Sequence, residues 1–416
     1  MTAPEREAPS IDTESVRRDF PILGRPVQGK RLVYLDNASS TQKPSCVIRA
    51  ADDFYRESYA NVHRGPYELS KTATDLMESS RRKVARFIGV DDSAEIIFTR
   101  NATEGFNLVS YAWGLANLKP GHEILISEME HNANLIPWQI LAQRTEARLR
   151  FIPVDLKTET LDLSNIDRLL SERTRLVSVT QMSNAVGTIN PVREIARRAH
   201  AVGALCMVDG AQSVPHFPVD VKDLGCDFLS FSAHKMLGPT GVGVLWGRRE
   251  ILESMPPFLG GGDMIKDVWP DRATWNVLPH KYEAGTPNIA GIVAFGAALD
   301  YLETLGMENV RRHEIEMTQY ALHALGEVPG ISLYGVSETP LRGGVVSFNL
   351  QGVDSRDVGA MADREGIAIR VGNHCSPLLM ARYGVPGTCR VSFYVYNDRS
   401  DIDSLVVALK KMWGSV

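Results

Sequence analysis

Short apolar runs alternate with stretches of helical spacing along most of this chain, and that alternation predicts a wound α/β sheet. Strands are expected at Arg31–Leu35, Glu95–Thr99, Glu123–Ser127, Leu149–Pro153, Leu176–Thr180, Leu205–Val208 and Asp227–Phe231. Helices are expected between them, at Pro44–Tyr59, Ser70–Ile88, Ala102–Leu118, Leu135–Ala147, Ser164–Leu170 and Pro191–Val202. After Gly243 the rhythm changes. Gly260-Gly261-Gly262-Asp263 reads as a turn, and the segment to His280 has few periodic apolar positions, as in a loop that covers a pocket or reaches a neighbouring subunit. A long helical run from Pro287 to about Gly306 then bridges to a smaller α+β region. That region carries strands near Ile331–Tyr334, Val345–Leu350, Ile367–Val371 and Cys389–Phe393, closed by a helix at Asp401–Trp413.

Composition narrows the class. The 416 residues, 44% hydrophobic, suffice for one large and one smaller domain with a sizeable core. A formal net charge of −5 gives no basic footprint for nucleic acid or a membrane surface, and no apolar stretch approaches the ~18 to 20 residues of a membrane span. Five cysteines, odd in number and without CxxC pairs, do not form a secreted disulfide framework and fit a reducing cytoplasm. The first residues, MTAPEREAPSIDTES, have mixed charge and no apolar core, unlike a signal peptide, and are expected to gain order near Ile11.

Two strand ends carry the candidate chemistry. Leu205–Val208 delivers Asp209 at its carboxyl end, and Asp227–Phe231 delivers Ser232, His234 and Lys235. In an open parallel sheet ligands sit outside those ends, so an acid and an amine share one crevice. The pair suits pyridoxal 5'-phosphate: a lysine to condense with the aldehyde, and a carboxylate to keep the ring nitrogen protonated. A helix N-terminus offers free N–H groups to a phosphate, which singles out Ala102 and Thr103 at a strand-to-helix junction, although Thr103 also reads as an ordinary helix cap. His131 follows another strand into the same crevice. In Arg370-Val371-Gly372-Asn373-His374-Cys375 a glycine turn presents a thiol beside a guanidinium and an imidazole, neighbours that favour the thiolate when charged. Cys46, Cys206, Cys226 and Cys389 lack that setting and read as packing residues. Gly238-Pro239-Thr240-Gly241-Val242-Gly243 lacks the Gly-Lys-Ser/Thr of a nucleotide loop, and His374, Cys375 and Cys389 supply no set of four ligands, so no metal is expected.

The lysine segment CDFLSFSAHKMLGPTGVGVL resembles the class V aminotransferase and cysteine desulfurase family over nearly the whole chain from Tyr34. The resemblance implies a pyridoxal-phosphate fold of type I, with residues 1–32 packing on the small domain, 33–295 forming the large domain and 296–416 the small one. It implies that His131 stacks on the pyridine, where an imidazole can also pass protons as a catalytic group, that Asn184 and Gln212 hydrogen-bond the ring hydroxyl and tune the imine, and that Ser232 and His234 join Thr103 in holding the phosphate. Many relatives have a hydroxyl at Ala102, which here offers only its N–H. Thr286, in Glu283-Ala284-Gly285-Thr286-Pro287-Asn288, is implied to reach the phosphate of the other subunit, making the active site a property of a homodimer. Arg390 is implied to bind a substrate carboxylate, with Arg370 as the alternative; Asn184 and His63 are further candidates at the substrate. Arg-x-Gly-x-x-Cys is similar to group II cysteine desulfurases of the Suf type. These convert L-cysteine to L-alanine, leave a persulfide on the equivalent of Cys375, and pass sulfur to an acceptor protein for iron–sulfur cluster assembly. Selenocysteine lyase activity shares such a site, and a non-catalytic scaffold would share the fold without a chromophore.

Overall fold

A computed structural model describes residues 11–414, and the first ten residues of the lead-in lie outside the described residues. Its centre is a seven-stranded sheet of β1 (Ile96–Thr99), β2 (Glu123–Ser127), β3 (Arg148–Ile152), β4 (Thr174–Thr180), β5 (Leu205–Asp209), β6 (Phe228–Ser232) and β7 (Gly243–Gly247). The order is β1-β7-β6-β5-β4-β2-β3. Strands β6, β5, β4, β2 and β3 run parallel, whereas β7 is antiparallel to both its neighbours. All residues of β1, β2, β6 and β7 are buried, which explains their unbroken apolar runs: a sheet covered on both faces has no wet side to alternate with. The carboxyl ends of β2, β4, β5 and β6 therefore open on one edge, where Ser127, Thr180, Asp209 and Ser232 stand.

A second sheet, in the order β8-β9-β11-β10, contains β8 (Ile331–Tyr334), β9 (Val345–Leu350), β10 (Arg370–Gly372) and β11 (Thr388–Ser392). The run expected as one strand at 367–371 is divided. Ile367–Ala368 pairs in parallel with Val33–Tyr34, and β10 pairs with β11 instead. The chain changes partners between the two, because the amino-terminal strand occupies the first position. Residues 17–31 lie against this domain: Arg17 donates to Leu32 O at 2.8 Å, Lys30 pairs with Glu365 and Arg31 with the buried Asp401.

Helix α1 (Ile289–Leu305) buries Ile292, Phe295, Leu299 and Leu302 within the large domain, so a division at 295/296 falls inside it. Gly306, at φ +80°, ends it, and α2 (Met307–Gly326) leaves at 73°. Helix α2 was not anticipated, yet Val310, Glu314, Met317, Ala321 and Leu325 are buried at helical spacing, a legible signal. The segment after Gly260 contains an unanticipated hairpin, Ile265–Val268 with Ala273–Trp275, whose Val268, Trp269 and Trp275 are exposed. Among the described residues no single helix is long and apolar enough to cross a membrane.

Gly243 opens β7 where the chain crosses the backbone of Asn101; a Cβ there would lie 2.4 Å from Asn101 Cα. Backbone cannot yield as a flexible side chain can. Gly243→Ala is expected to cost about 1–3 kcal/mol of stability, read from the midpoint of urea unfolding at unchanged m.

Candidate active site

The sheet edge and the second domain enclose a cavity of about 190 Å³, lined among others by Ser39, Ala102, Thr103, His131, Asn184, Asp209, Gln212, Ser232, His234, Lys235, Arg370 and Arg390. Most of the residues singled out from sequence thus meet in one place. Asp209 is 4% exposed, and its carboxylate accepts the N–H of Ala211 at 2.9 Å. Burial raises its pKa while that N–H and Lys235 oppose the rise. Lys235 sits on a single helical turn, Ala233–Lys235, and burial pulls its pKa down to about 8; Asp209 opposes the drop, and Arg390 and Arg370 add to it. An amine poised near neutrality is suited both to attack a carbonyl and to move a proton.

The turn carrying Lys235 is gripped from outside. The carbonyl of His234 accepts from Ser40 Oγ at 3.1 Å, from the Thr41 N–H at 3.0 Å and from Lys43 Nζ at 3.0 Å, while Thr41 Oγ1 accepts the Leu237 N–H at 2.9 Å. Lys43 is itself half-buried, and the loss of water lowers its pKa to about 8. Sequence reading assigned nothing to Lys43 or to the Asp36–Ser39 turn, because their partners stand some two hundred or more residues away.

The imidazoles are neutral. His131 is lowered to about 3 by burial and then by Lys235, Arg370 and Arg390. Its Nδ1 accepts the Ala133 N–H at 3.0 Å, which leaves Nε2 as the protonated nitrogen. His234 is lowered to about 4 and His374 to about 3, both mainly by burial. His374 therefore lends Cys375 no positive charge, contrary to the expectation of two cationic neighbours. Only the guanidinium does: Arg370 Nη2 donates to Cys375 Sγ at 3.4 Å. Cys375 and His374 both adopt left-handed backbone, φ +58° and +53°, after Gly372 at +109°. Three bonds hold this turn over the crevice: Cys375 O accepts the Asn132 N–H at 2.7 Å, His374 O accepts from Asn184 Nδ2 at 2.7 Å, and Ser376 Oγ donates to Asn184 Oδ1 at 3.1 Å. The Asn184 amide thus steadies the cysteine turn on both its atoms, a role not expected from sequence.

Arg390, on β11, is 1% exposed, and burial lowers its pKa to about 10. It donates to Asp36 Oδ1 at 2.9 Å, Ser39 Oγ at 2.8 Å and Asn184 O at 2.9 Å, and its Nε is buried without a partner. The Gln212 amide donates to Ala38 O at 2.7 Å while its Oε1 is also buried and unpartnered. Buried polar atoms without partners are rare, and both of these residues line the cavity. Thr103 is not the cap of its helix: Asn101 is, its side chain accepting the Glu104 N–H at 3.0 Å, so the Thr103 hydroxyl remains for a ligand. The Ala102 N–H donates to Ser232 Oγ at 2.9 Å, so these two candidates bond to each other rather than both pointing outward.

Two candidates stand apart. Thr286 lies on an exposed loop beside a different cavity of about 460 Å³, 3.4 Å from Asn61 Oδ1. His63 lies between Glu78 and Asp263, 3.3 Å from each, and these carboxylates raise its pKa. Neither reaches the crevice of its own chain. Sequence reading also missed Glu130, which is wholly buried beneath His131. It accepts from the Ser127 hydroxyl, the Thr180 N–H at 3.0 Å and Asn134 Nδ2 at 2.5 Å, and burial raises its pKa to about 8. The other cysteines match their reading: Cys206, Cys226 and Cys389 are buried, and burial pushes their thiols up, Cys389 to about 12.

Residues 33–405 match the family described as Aminotransferase class-V. A probable cysteine desulfurase of Synechocystis is 48% identical over 405 residues, 97% of this chain and 96% of its own length. A cysteine desulfurase of Pectobacterium atrosepticum is 48% identical over 97% of this chain and 98% of its own. Among solved structures, the cysteine desulfurase CsdA of Escherichia coli superposes with a TM-score of 0.90 at 37% identity, covering 97% of this chain and 99% of that one. The apo cysteine desulfurase of Thermococcus onnurineus gives 0.92 at 37% identity, with both chains covered in full.

Labelling provides a test of the crevice that needs no substrate. In protein stripped of small molecules, trace acetylation of Lys235 is expected to rise through about pH 8, while exposed lysines label only in the ordinary lysine range. Asp209→Asn is expected to move that midpoint lower still, because the carboxylate opposes the drop. Quantitative peptide mass spectrometry across pH 6–11 reads both, and an ordinary lysine midpoint would contradict the burial described.

Proposed function

This chain belongs to the aminotransferase class-V family, and on that footing we propose that it is a pyridoxal-phosphate-dependent cysteine desulfurase, converting L-cysteine to L-alanine and leaving the sulfur as a persulfide on Cys375. The observation that carries the reading is a thiol 3.4 Å from the guanidinium of Arg370, which lines the same cavity as Lys235 and Asp209. Bound in the cavity, pyridoxal phosphate supplies an aldehyde that takes up the substrate amine and a ring that accepts the electron pair left on carbon. The residues present fit it. Asp209 is the partner for the ring nitrogen, and the free Gln212 Oε1 accepts from the ring hydroxyl. The neutral His131 covers a ring face, and Ser232, His234, Thr103 and the Ala102 N–H receive the phosphate once Ser232 turns from Ala102.

Arg390, buried and lining the cavity, binds the substrate carboxylate through a charge-assisted bond. Lys235, whose pKa burial draws down to about 8, removes the Cα proton in its neutral form and later returns one to the product. The Cys375 thiolate attacks the substrate sulfur: the S–S bond forms as the C–S bond breaks, and the bonding pair stays with carbon, which is protonated to give alanine. The Asn184 amide and the Asn132 N–H keep the thiol turn over the substrate meanwhile. Because the cysteine turn is short and pinned at three points, the persulfide has little reach, and an acceptor protein collects it at the crevice mouth.

The finer reading is a group II enzyme of the Suf type, working in the cytoplasm as a homodimer and supplying iron–sulfur cluster assembly. Its support is local. Thr286 and His63 lie outside their own crevice, on a side that also exposes Tyr55, Tyr59, Tyr67 and Leu69, each at least half exposed. Apolar side chains grouped this way mark a surface that another chain covers, and a second copy would bring Thr286 to the partner's phosphate.

Cys375→Ala is expected to reduce alanine release from L-cysteine to background and to abolish the persulfide while leaving the yellow chromophore of the bound cofactor in place. Lys235→Ala is expected to lose that chromophore's attachment to the chain, read as failure of borohydride to fix label at residue 235. Undiminished alanine output from the cysteine variant would overturn the nucleophile assignment.

A further inference from the structure

Two guanidinium groups, Arg370 and Arg390, stand side by side in the crevice with a single neutral atom between them. That atom is Ser39 Oγ, which accepts from Arg370 Nη1 at 2.9 Å and from Arg390 Nη2 at 2.8 Å. Its proton goes to Asp36 Oδ1 at 2.7 Å, and the same carboxylate oxygen accepts from Arg390 Nη2 at 2.9 Å. A serine hydroxyl has one proton and two lone pairs, so all its hydrogen-bonding capacity is used. Asp36 fixes the rotor: with the proton committed to the carboxylate, both lone pairs must face the cations. The turn itself is held by Ser392, at the end of β11: its Oγ accepts the Ala38 N–H at 2.8 Å, and its carbonyl accepts from Asn37 Nδ2 at 2.7 Å.

The outer sides of the two guanidinia differ. Arg370 donates from its other terminal nitrogen to Cys375 Sγ, whereas Arg390 lines the cavity and keeps a buried Nε without a partner. Unshielded like charges in a buried site repel, and Arg370 adds to the lowering of the Arg390 pKa that burial causes; a shared acceptor and one carboxylate offset that repulsion at fixed spacing. Resting on the function proposed above, we infer that Ser39, locked by Asp36, is a positioning residue that sets the spacing between the carboxylate-binding arginine and the arginine on the nucleophile. Removing the hydroxyl lets Arg370 swing from the thiol and Arg390 from the substrate together, which neither arginine's own substitution would reveal.

The test compares holoenzyme carrying Ser39→Ala, Ser39→Thr and no substitution. Two measurements are made: KM and kcat for L-cysteine, and the rate at which iodoacetamide alkylates Cys375 at pH 7 without substrate, read by peptide mass spectrometry. One lost hydrogen bond in such a site corresponds to about a threefold to tenfold effect. Ser39→Ala is expected to raise KM by about that factor, with a smaller change in kcat, and to slow alkylation of Cys375 in parallel. Ser39→Thr, which keeps the hydroxyl, is expected to restore both. Cofactor absorbance and melting temperature verify that each variant is folded and loaded. A change in KM alone, a change in alkylation alone, no change in either, or failure of Thr to rescue overturns the inference. Should the unsubstituted enzyme release no alanine from L-cysteine, the desulfurase reading fails by itself, and the alkylation rates still decide whether Ser39 positions Arg370.

Discussion

The crevice depends on one short crossing of the chain, residues 36–43, which leaves the small domain and fastens itself to the turn that carries Lys235. At its start Asp36 and Ser39 hold the two arginines; at its end Ser40, Thr41 and Lys43 converge on the carbonyl of His234. The two halves of the proposed chemistry, amine and thiol, stand on different domains. Their separation is set by this segment rather than by either sheet. Lys43 shows how firmly: a half-buried amine without a carboxylate is costly unless its donors are satisfied, and here backbone carbonyls of Thr41 and His234 accept from it.

Electrostatics follow from that arrangement. Lys235, Arg370 and Arg390 gather around one cavity, while Asp209 and Asp36 are the carboxylates set against them. His131, His234 and His374 stay neutral chiefly because they are buried, and the neighbouring positive charges add to that. A site so charged favours a ligand that brings negative groups, and both a phosphate and an amino-acid carboxylate do. The neutrality of His131 suits a ring stacked on a flat partner better than an imidazolium would.

Sequence reading reached the sheet and most of the crevice because both are encoded locally. Buried strands announce themselves as apolar runs, and the residues at their carboxyl ends share an edge by topology, so Asp209, Lys235 and His131 could be brought together before any contact was known. Bonds between distant segments had no such signature. Nothing near Ser39 in sequence points to Arg370, 331 residues on, and nothing beside Asn184 says that its amide belongs to the cysteine turn. His374 misled for a related reason: its proximity to Cys375 is local, but its charge is decided by burial, a property of the fold. Thr103 and Asn101 differ by two positions, and which of them caps a helix depends on where the helix starts. The break at Gly306 and the amphipathic stretch after it were readable in periodicity alone.

The walls of the cavity come from segments strewn along nearly the entire polypeptide, from Ser39 to Arg390, and β11 takes its place between two strands that precede it. A chain emerging from the ribosome can assemble the seven-stranded sheet well before β11 exists. Until then Asp36 and Ser39 have no guanidinium to hold from that strand, and the half-built crevice stays open to solvent. The pairing of Arg370 with Arg390 across Ser39 is thereby completed last, after every strand of the larger sheet has been made.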